Sequence, residues 1–296
     1  MSTDYKCYSQ LFDTEVTQQY QNSLKLRHTI DEREGLTGTF LNIPISDLLE
    51  LKSATFEASD ILATNVRETN IQVPTSNYYL KTVINGGEKT LYNFHKVREH
   101  ASLHAKASAR ILDYIKINAI YKDEQYIAGK IAKIPLKTGK NTGFNVDKLT
   151  AANSILEDQG IEIGPKKVSG WIPARLKPNF MEDQRVFSIY SNHEKPLANY
   201  QITEYLGVDF RILGQKGINT IPFIEDQENG NRTYQVPIVH RDAIVQGFNR
   251  TISTSVTWLP HQDRWELLTS VTTGAKLVKP DGVVMIEAES IPKSNV

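Results

Sequence analysis

The chain has 296 residues, 40% hydrophobic and 23% charged, which is the composition of an ordinary globular protein long enough for one large domain or two modest ones. Lys plus Arg total 34 and Asp plus Glu total 34, so no global positive field exists to grip a nucleic acid sequence-specifically. Cys7 is the only cysteine, which excludes an internal disulfide and a cysteine-rich metal site; with no run of roughly 20 apolar residues and no apolar stretch in Met1 to Gln10, neither a membrane span nor a signal peptide is expected, and a reducing cytoplasm fits best.

Tyr5 to His28 is polar and weakly helical, with Leu11, Phe12, Val16, Tyr20, Leu24 and Leu26 as scattered anchors. Such a segment cannot bury itself alone, and it is expected to lie as an arm or short helix on something else, such as a neighbouring subunit. Residues 36 to 84 contain β-prone pieces at Gly38 to Ile45 and Arg67 to Ile84 around a middle section, Ser46 to Thr64, giving two hairpin arms and a tip. Thr69, Ile71 and Val73 alternate with Asn70 and Gln72 at the period of a half-buried strand, and Pro74 argues for an edge or bend. Asn85-Gly86-Gly87 is expected to turn the chain out of this region.

Residues 91 to 120 carry the strongest helical pattern. Phe94, Val97, Ala101, Ala105, Ser108, Leu112, Ile115 and Ala119 recur at spacings of three and four, while Lys96, Glu99, Lys106, Arg110 and Lys116 fall elsewhere. At about 1.5 Å per residue this is a strut of roughly 40 Å. After a loop from Gly129 to Gly143, Asn145 or Asp147 is placed to cap a second helix through Leu149, Ala152, Ile155 and Leu156, stopped at Gly160. Val168 to Ile172 reads as a strand, Pro173 to Met181 as a short helix and Val208 to Leu213 as a strand. A turn at Glu228 to Arg232 separates Ile218 to Ile224 from Tyr234 to Val239. Thr251 to Trp258 and Trp265 to Thr273 read as antiparallel strands joined at Pro260 to Arg264, and Val283 to Glu287 as a last strand. There is no internal repeat.

Chemistry-bearing patterns are sparse. His100 and His104 stand four apart on one helix face with His95 and Glu99 a turn earlier, a spacing zinc can use, but Ala101 occupies the place of the general-base Glu. Solvent-facing or interface histidines on a polar flank are the preferred reading. Gly86-Gly87-Glu88-Lys89-Thr90 has Glu88 where a phosphate loop needs glycine, so a tight turn is the better account. Lys130, Lys133, Lys137 and Lys140 form a basic cluster with no aromatic nearby except Phe144, and a solvated loop is preferred to a nucleic-acid contact. Trp171, Trp258 and Trp265 sit in strand-like settings and are expected as core or interface anchors. No catalytic, cofactor-binding or metal residue is assigned.

The order of polar arm, extended hairpin, long helix and mixed body resembles the major capsid proteins of tailed bacteriophages, whose fold is shared with herpesvirus shells. The most specific local match is Leu149-Thr-Ala-Ala-Asn-Ser-Ile-Leu156, Gly160-Ile161 and Val168-Ser-Gly-Trp-Ile-Pro173-Ala-Arg-Leu176. Tyr205-Leu-Gly-Val-Asp-Phe210, Gly274-Ala275 and Pro280-Asp281-Gly-Val-Val284 add to it. The resemblance implies an α+β fold with an N-arm (1–35), an E-loop (36–84), a spine helix and adjoining P domain (85–145), an A domain (146–245) and P-domain C-terminal strands (246–296). It implies self-assembly into hexamers and pentamers that form an icosahedral shell around double-stranded DNA, without sequence-specific contacts. A portal and a decoration protein are further partners it implies, with no membrane, in a virion assembled in the host cytoplasm. Little chain precedes the arm, which suggests a separate scaffolding protein. Some members crosslink an E-loop Lys to a neighbour's Asn; Lys52 lies near the expected tip, but no partner can be assigned, so that chemistry is not carried over. The rival readings are a metal-assisted enzyme using His95, His100 and His104, and another virion component such as a tail protein.

Overall fold

A computed structural model describes residues 10, 12–17, 19, 23–34, 38, 40–46, 68–186, 202–214, 217, 218, 220–226 and 230–291. In chain order its strands begin with β1 (Asp31–Arg33), β2 (Phe40–Ser46), β3 (Glu68–Pro74) and β4 (Ser76–Asn85). Next come helix α1 (Gly86–Tyr121), helix α2 (Glu124–Ile127), β5 (Ala132–Ile134), α3 (Val146–Asp158), β6 (Val168–Pro173) and α4 (Lys177–Met181). The rest is strand: β7 (Glu204–Tyr205), β8 (Val208–Leu213), β9 (Phe223–Glu225), β10 (Arg232–His240), β11 (Ile244–Leu259), β12 (Arg264–Leu277) and β13 (Val283–Glu289). The α+β class expected from the sequence is observed.

A single helix of 36 residues, α1, ties two cores together. Its first half lays Val97, Ala101 and Ala105 on Ile84, Val256 and Leu267 of a four-stranded sheet ordered β1-β11-β12-β4. The same patch takes Phe12 and Val16 from the N-terminal segment, both fully buried, where residues 12–17 are helical. Leu112 and Ile115 continue the contact on Phe248 and Val271. In the last turns, Ile117 and Ile120 enter the larger core instead. Burial follows the predicted three-and-four spacing, because only one stripe of a helix can face a sheet. The helix begins five residues before the patterned stretch: Gly86 and Gly87, expected in a turn, are its first residues, and the reversal out of β4 is complete at Asn85.

The larger sheet has seven strands, ordered β5-β13-β10-β6-β8-β7 with β9 on β10. Trp171, Phe144, Phe180, Phe210 and Tyr234 fill the core beneath it. Helix α3 starts as its sequence suggests, with Asn145 Oδ1 accepting from the Lys148 amide at 2.9 Å, and ends before Gly160 at φ +75°. The β7–β8 turn places Leu206 and Gly207 both at positive φ, the backbone a two-residue hairpin needs.

Three features depart from the sequence expectation. The Gly129 to Gly143 loop contains β5, which pairs in parallel with β13, and β1 pairs in parallel with β11; three-residue strands leave no periodic trace. The C-terminal strand Val283–Glu289, grouped above with the strands of 246–277, is instead antiparallel to β10 in the larger sheet. The turn at Pro280–Gly282 redirects it, and a β-carbon on Gly282 would come within 2.8 Å of Ala243 Cβ. Beyond residue 46, the expected tip of the hairpin up to Thr64, with Lys52, lies outside the described residues.

Candidate functional site

Two of the histidines singled out by the sequence, His100 and His104, face the sheet. His104 is fully buried between α1 and the small sheet. Its Nδ1 lies 2.8 Å from Thr269 Oγ1 of β12 and its Nε2 lies 2.8 Å from Thr82 Oγ1 of β4. The same Thr82 hydroxyl lies 3.0 Å from His100 Nδ1. The Phe12 ring packs edge-on against His104 with centroids 5.3 Å apart. Burial, then the neighbouring His100, holds the His104 pKa down to about 4, so the ring is neutral at physiological pH. A neutral imidazole between two hydroxyls donates to one and accepts from the other, leaving no lone pair for a metal. Among the described residues no group of three His, Cys, Asp or Glu is placed to hold a metal ion. The preferred reading of flank histidines is therefore corrected for His104: the threonines that satisfy it come from strands 22 and 165 residues away in sequence. The His95 side chain lies outside the described residues.

A second buried polar cluster fastens the arm. Asp113, on the flank of α1, accepts hydrogen bonds from the amides of Lys25 at 3.2 Å and Leu26 at 3.1 Å. Burial raises its pKa, opposed by those two amides and by Lys116. Lys116, which the helical pattern left on the polar side, is buried; its Nζ donates to the Leu26 carbonyl at 2.7 Å and to Glu32. The arm thus meets the helix a second time beside Asp113 and Lys116, a few residues before β1. Neither residue stands out in the sequence, since each lies among ordinary helix-surface charges.

The hairpin β2–β3 forms a two-stranded sheet of its own, with Leu41 opposite Val73 and Ile43 opposite Ile71. Its described contact with the body is at the base, where Ile43 and Val73 pack on Val245 and Val278. At the base end of the ribbon, opposite Pro74, Phe40 is 55% exposed. A crevice of about 450 Å³ opens beside this junction, bounded by Ile71, Pro74, Tyr114, Asn118, Gly274 and Lys276.

The remaining sequence candidates are accounted for locally. Lys130, Lys133, Lys137 and Lys140 are exposed, Lys133 lying over the Tyr126 ring at 5.1 Å, while Phe144 is in the core and not among them. Gly86 to Thr90 is helical, so no phosphate loop exists there. Trp171 is a core residue whose Nε1 donates to Ser169 Oγ at 3.1 Å; Trp258 and Trp265 pair across the β11–β12 hairpin with centroids 5.0 Å apart. The pattern reading missed Lys148, whose buried Nζ donates to the carbonyls of Thr142 at 2.9 Å and Glu287 at 2.8 Å. Burial lowers its pKa to about 8, opposed by Glu289 and Glu287.

The family model described as phage capsid protein matches residues 5–289. No curated protein matches the chain in sequence. Among solved structures, the chain is similar to the capsid of the cyanophage P-SCSP1u, with 11% identity, a TM-score of 0.65, and coverage of 88% of this chain and 86% of that one. It is similar to the acidic stable capsid of the Helicobacter pylori bacteriophage KHP30, with 7% identity, a TM-score of 0.66, and coverage of 89% and 88%. It is similar also to the virus-like particle from Pyrococcus furiosus, with 13% identity, a TM-score of 0.59, and coverage of 94% and 99%.

Proposed function

The chain belongs to the phage capsid protein family and is a major capsid protein of the head shell, and from that premise we propose how its parts divide the work. Residues 1–35 act as the N-arm and 36–84 as the E-loop. Residues 85–145 supply the spine helix and adjoining P domain, 146–245 most of the A domain and 246–277 the long P-domain strands. Strand β13, by its pairing, goes with the A-domain sheet. The subunits close into hexamers and pentamers around double-stranded DNA. A scaffolding protein, a portal and a decoration protein take part, and assembly proceeds in the host cytoplasm. The subunit works by self-association and performs no catalysis.

The observation that carries this division is the hairpin, whose described contacts with its own subunit, Ile43 and Val73 on Val245 and Val278, Asn249 on the Gly38 carbonyl and Pro74 over Gly274, lie at its base. A two-stranded ribbon is marginal in water by itself, so apolar surface such as Phe40 gains most when laid on a neighbour. Deletion of residues 47–64, with a short Gly-Ser bridge, tests it. The variant subunit should keep its far-ultraviolet circular dichroism and lose shell formation; shells of parental size from the shortened chain would refute the role given to the hairpin.

A further inference from the structure

Asn85 ends β4 and stands at the start of α1, where its exposed side chain caps none of the helix amides. Gly86 and Gly87 follow it. In an Asn-Gly pair the backbone amide reaches the preceding side-chain carbonyl most readily, because glycine has no β-carbon in the way. In the folded chain ψ of Asn85 is 145°, which turns the Gly86 nitrogen away from Asn85 Cγ. Ring closure between them therefore waits for the first turn of α1 to open. Two glycines, the poorest helix formers after proline, begin that turn, and its amides have no intrahelical partner.

The residue directly across from Asn85 is Arg264 of β12, so both side chains leave the same face of the sheet. Arg264 Nε is buried and has no hydrogen-bond partner among the described residues. The nearby acids do not serve it. Glu266, next but one along β12 on the same face, is closed on Lys81 at 2.7 Å. Asp263 lies in the turn before Arg264 at φ +43° and forms no ion pair with it. A carboxylate at position 85 would meet both this guanidinium and the positive end of the helix dipole.

We propose that Asn85 is a site of spontaneous deamidation, and that the carboxylate so formed pairs with Arg264 and secures the passage from β4 into α1. The Gly86 nitrogen attacks Asn85 Cγ, the bond from Cγ to the side-chain nitrogen breaks, and ammonia leaves with the proton of the Gly86 amide. Water then opens the five-membered imide. Opening at the side-chain carbonyl gives aspartate, and opening at the main-chain carbonyl gives its β-linked isomer. One water is consumed and one ammonia released, with no oxidant, metal or second protein. The step runs one way, so a subunit acquires the charge with age. Nothing in it depends on the shell.

Peptide mass mapping of the purified chain, held for weeks at pH 8 and 37 °C, tests the chemistry. Asn85 should convert severalfold faster than the asparagines not followed by glycine, and Gly86→Ala should remove that excess. Conversion of Asn85 no faster than theirs overturns the proposal, whether or not Asn229, of the other Asn-Gly pair, is converted. A double-mutant cycle in denaturant tests the pairing. Asn85→Asp should raise the unfolding midpoint, and the gain should vanish in the presence of Arg264→Gln. An Asn85→Asp chain no more stable than the parent, or equally stabilised beside Arg264→Gln, overturns the pairing. Should Arg264→Gln fail to fold, salt decides: the gain from Asn85→Asp should shrink in 1 M salt, and a gain indifferent to salt overturns it.

Discussion

The carbonyl oxygen of Pro74 passes so close to Gly274 that a β-carbon at 274 would lie 1.9 Å from it. The hairpin therefore leaves the body over the one position in β12 that has no side chain. Gly274→Ala must push β3 away from the sheet, at a cost of about 3 kcal/mol, the upper end of overpacking. The expected outcome is a subunit whose larger sheet still folds, seen by retained tryptophan fluorescence from Trp171, and whose shells are lost or misshapen by electron microscopy.

His104 makes stability depend on acidity. Its pKa is lowered from 6.5 to about 4 in the folded chain, so the unfolded chain takes the proton first as pH falls. The stability due to the neutral ring is intact above about pH 6.5 and is lost progressively down to about pH 4, roughly 3 kcal/mol in all. Denaturant unfolding between pH 7.5 and 4 should show this slope. His104→Gln should lower stability at neutral pH and flatten the acid limb, and an unchanged limb would exclude His104 as its source.

Asp113 and Lys116 hold the arm against α1. Asp113→Ala leaves Lys116 buried with one fewer counter-charge and frees two amides, a loss of about 3 kcal/mol by the cost of breaking buried pairs. Limited proteolysis should then cut within residues 1–30 much faster than in the parent, while the larger sheet remains resistant.

Lys148 acts at the other end of the pH scale. Its folded pKa, lowered to about 8 from 10.5, lies below the unfolded value, so between about pH 8 and pH 10 the folded chain sheds the proton while the unfolded chain keeps it. Stability should rise over that window in thermal unfolding, and Lys148→Met should abolish the rise.

Where the fold was written in local pattern, it was legible. The 3.6-residue stripe of α1, the Asn145 cap and Gly160 stop of α3, and the β11–β12 hairpin around Pro260 to Arg264 all follow from neighbours in sequence. Strands β1 and β5 did not, because their partners are strands far along the chain and their own residues are too few to show alternation. The buried polar residues were illegible for a related reason. His104 reads as a surface residue until Thr82 and Thr269 arrive from the sheet, and Lys116 and Lys148 have long apolar stems that let a charge reach a distant carbonyl from inside the core. What the sequence carried best was the order of parts, and that order is the family resemblance.

The central claim is that this subunit closes shells with copies of itself. Negative-stain microscopy and sedimentation of the chain, expressed alone and with its neighbouring genes, test it most directly. The account predicts closed shells, tubes or capsomer-sized rings in at least one condition; a discrete monomer or dimer in both would contradict it.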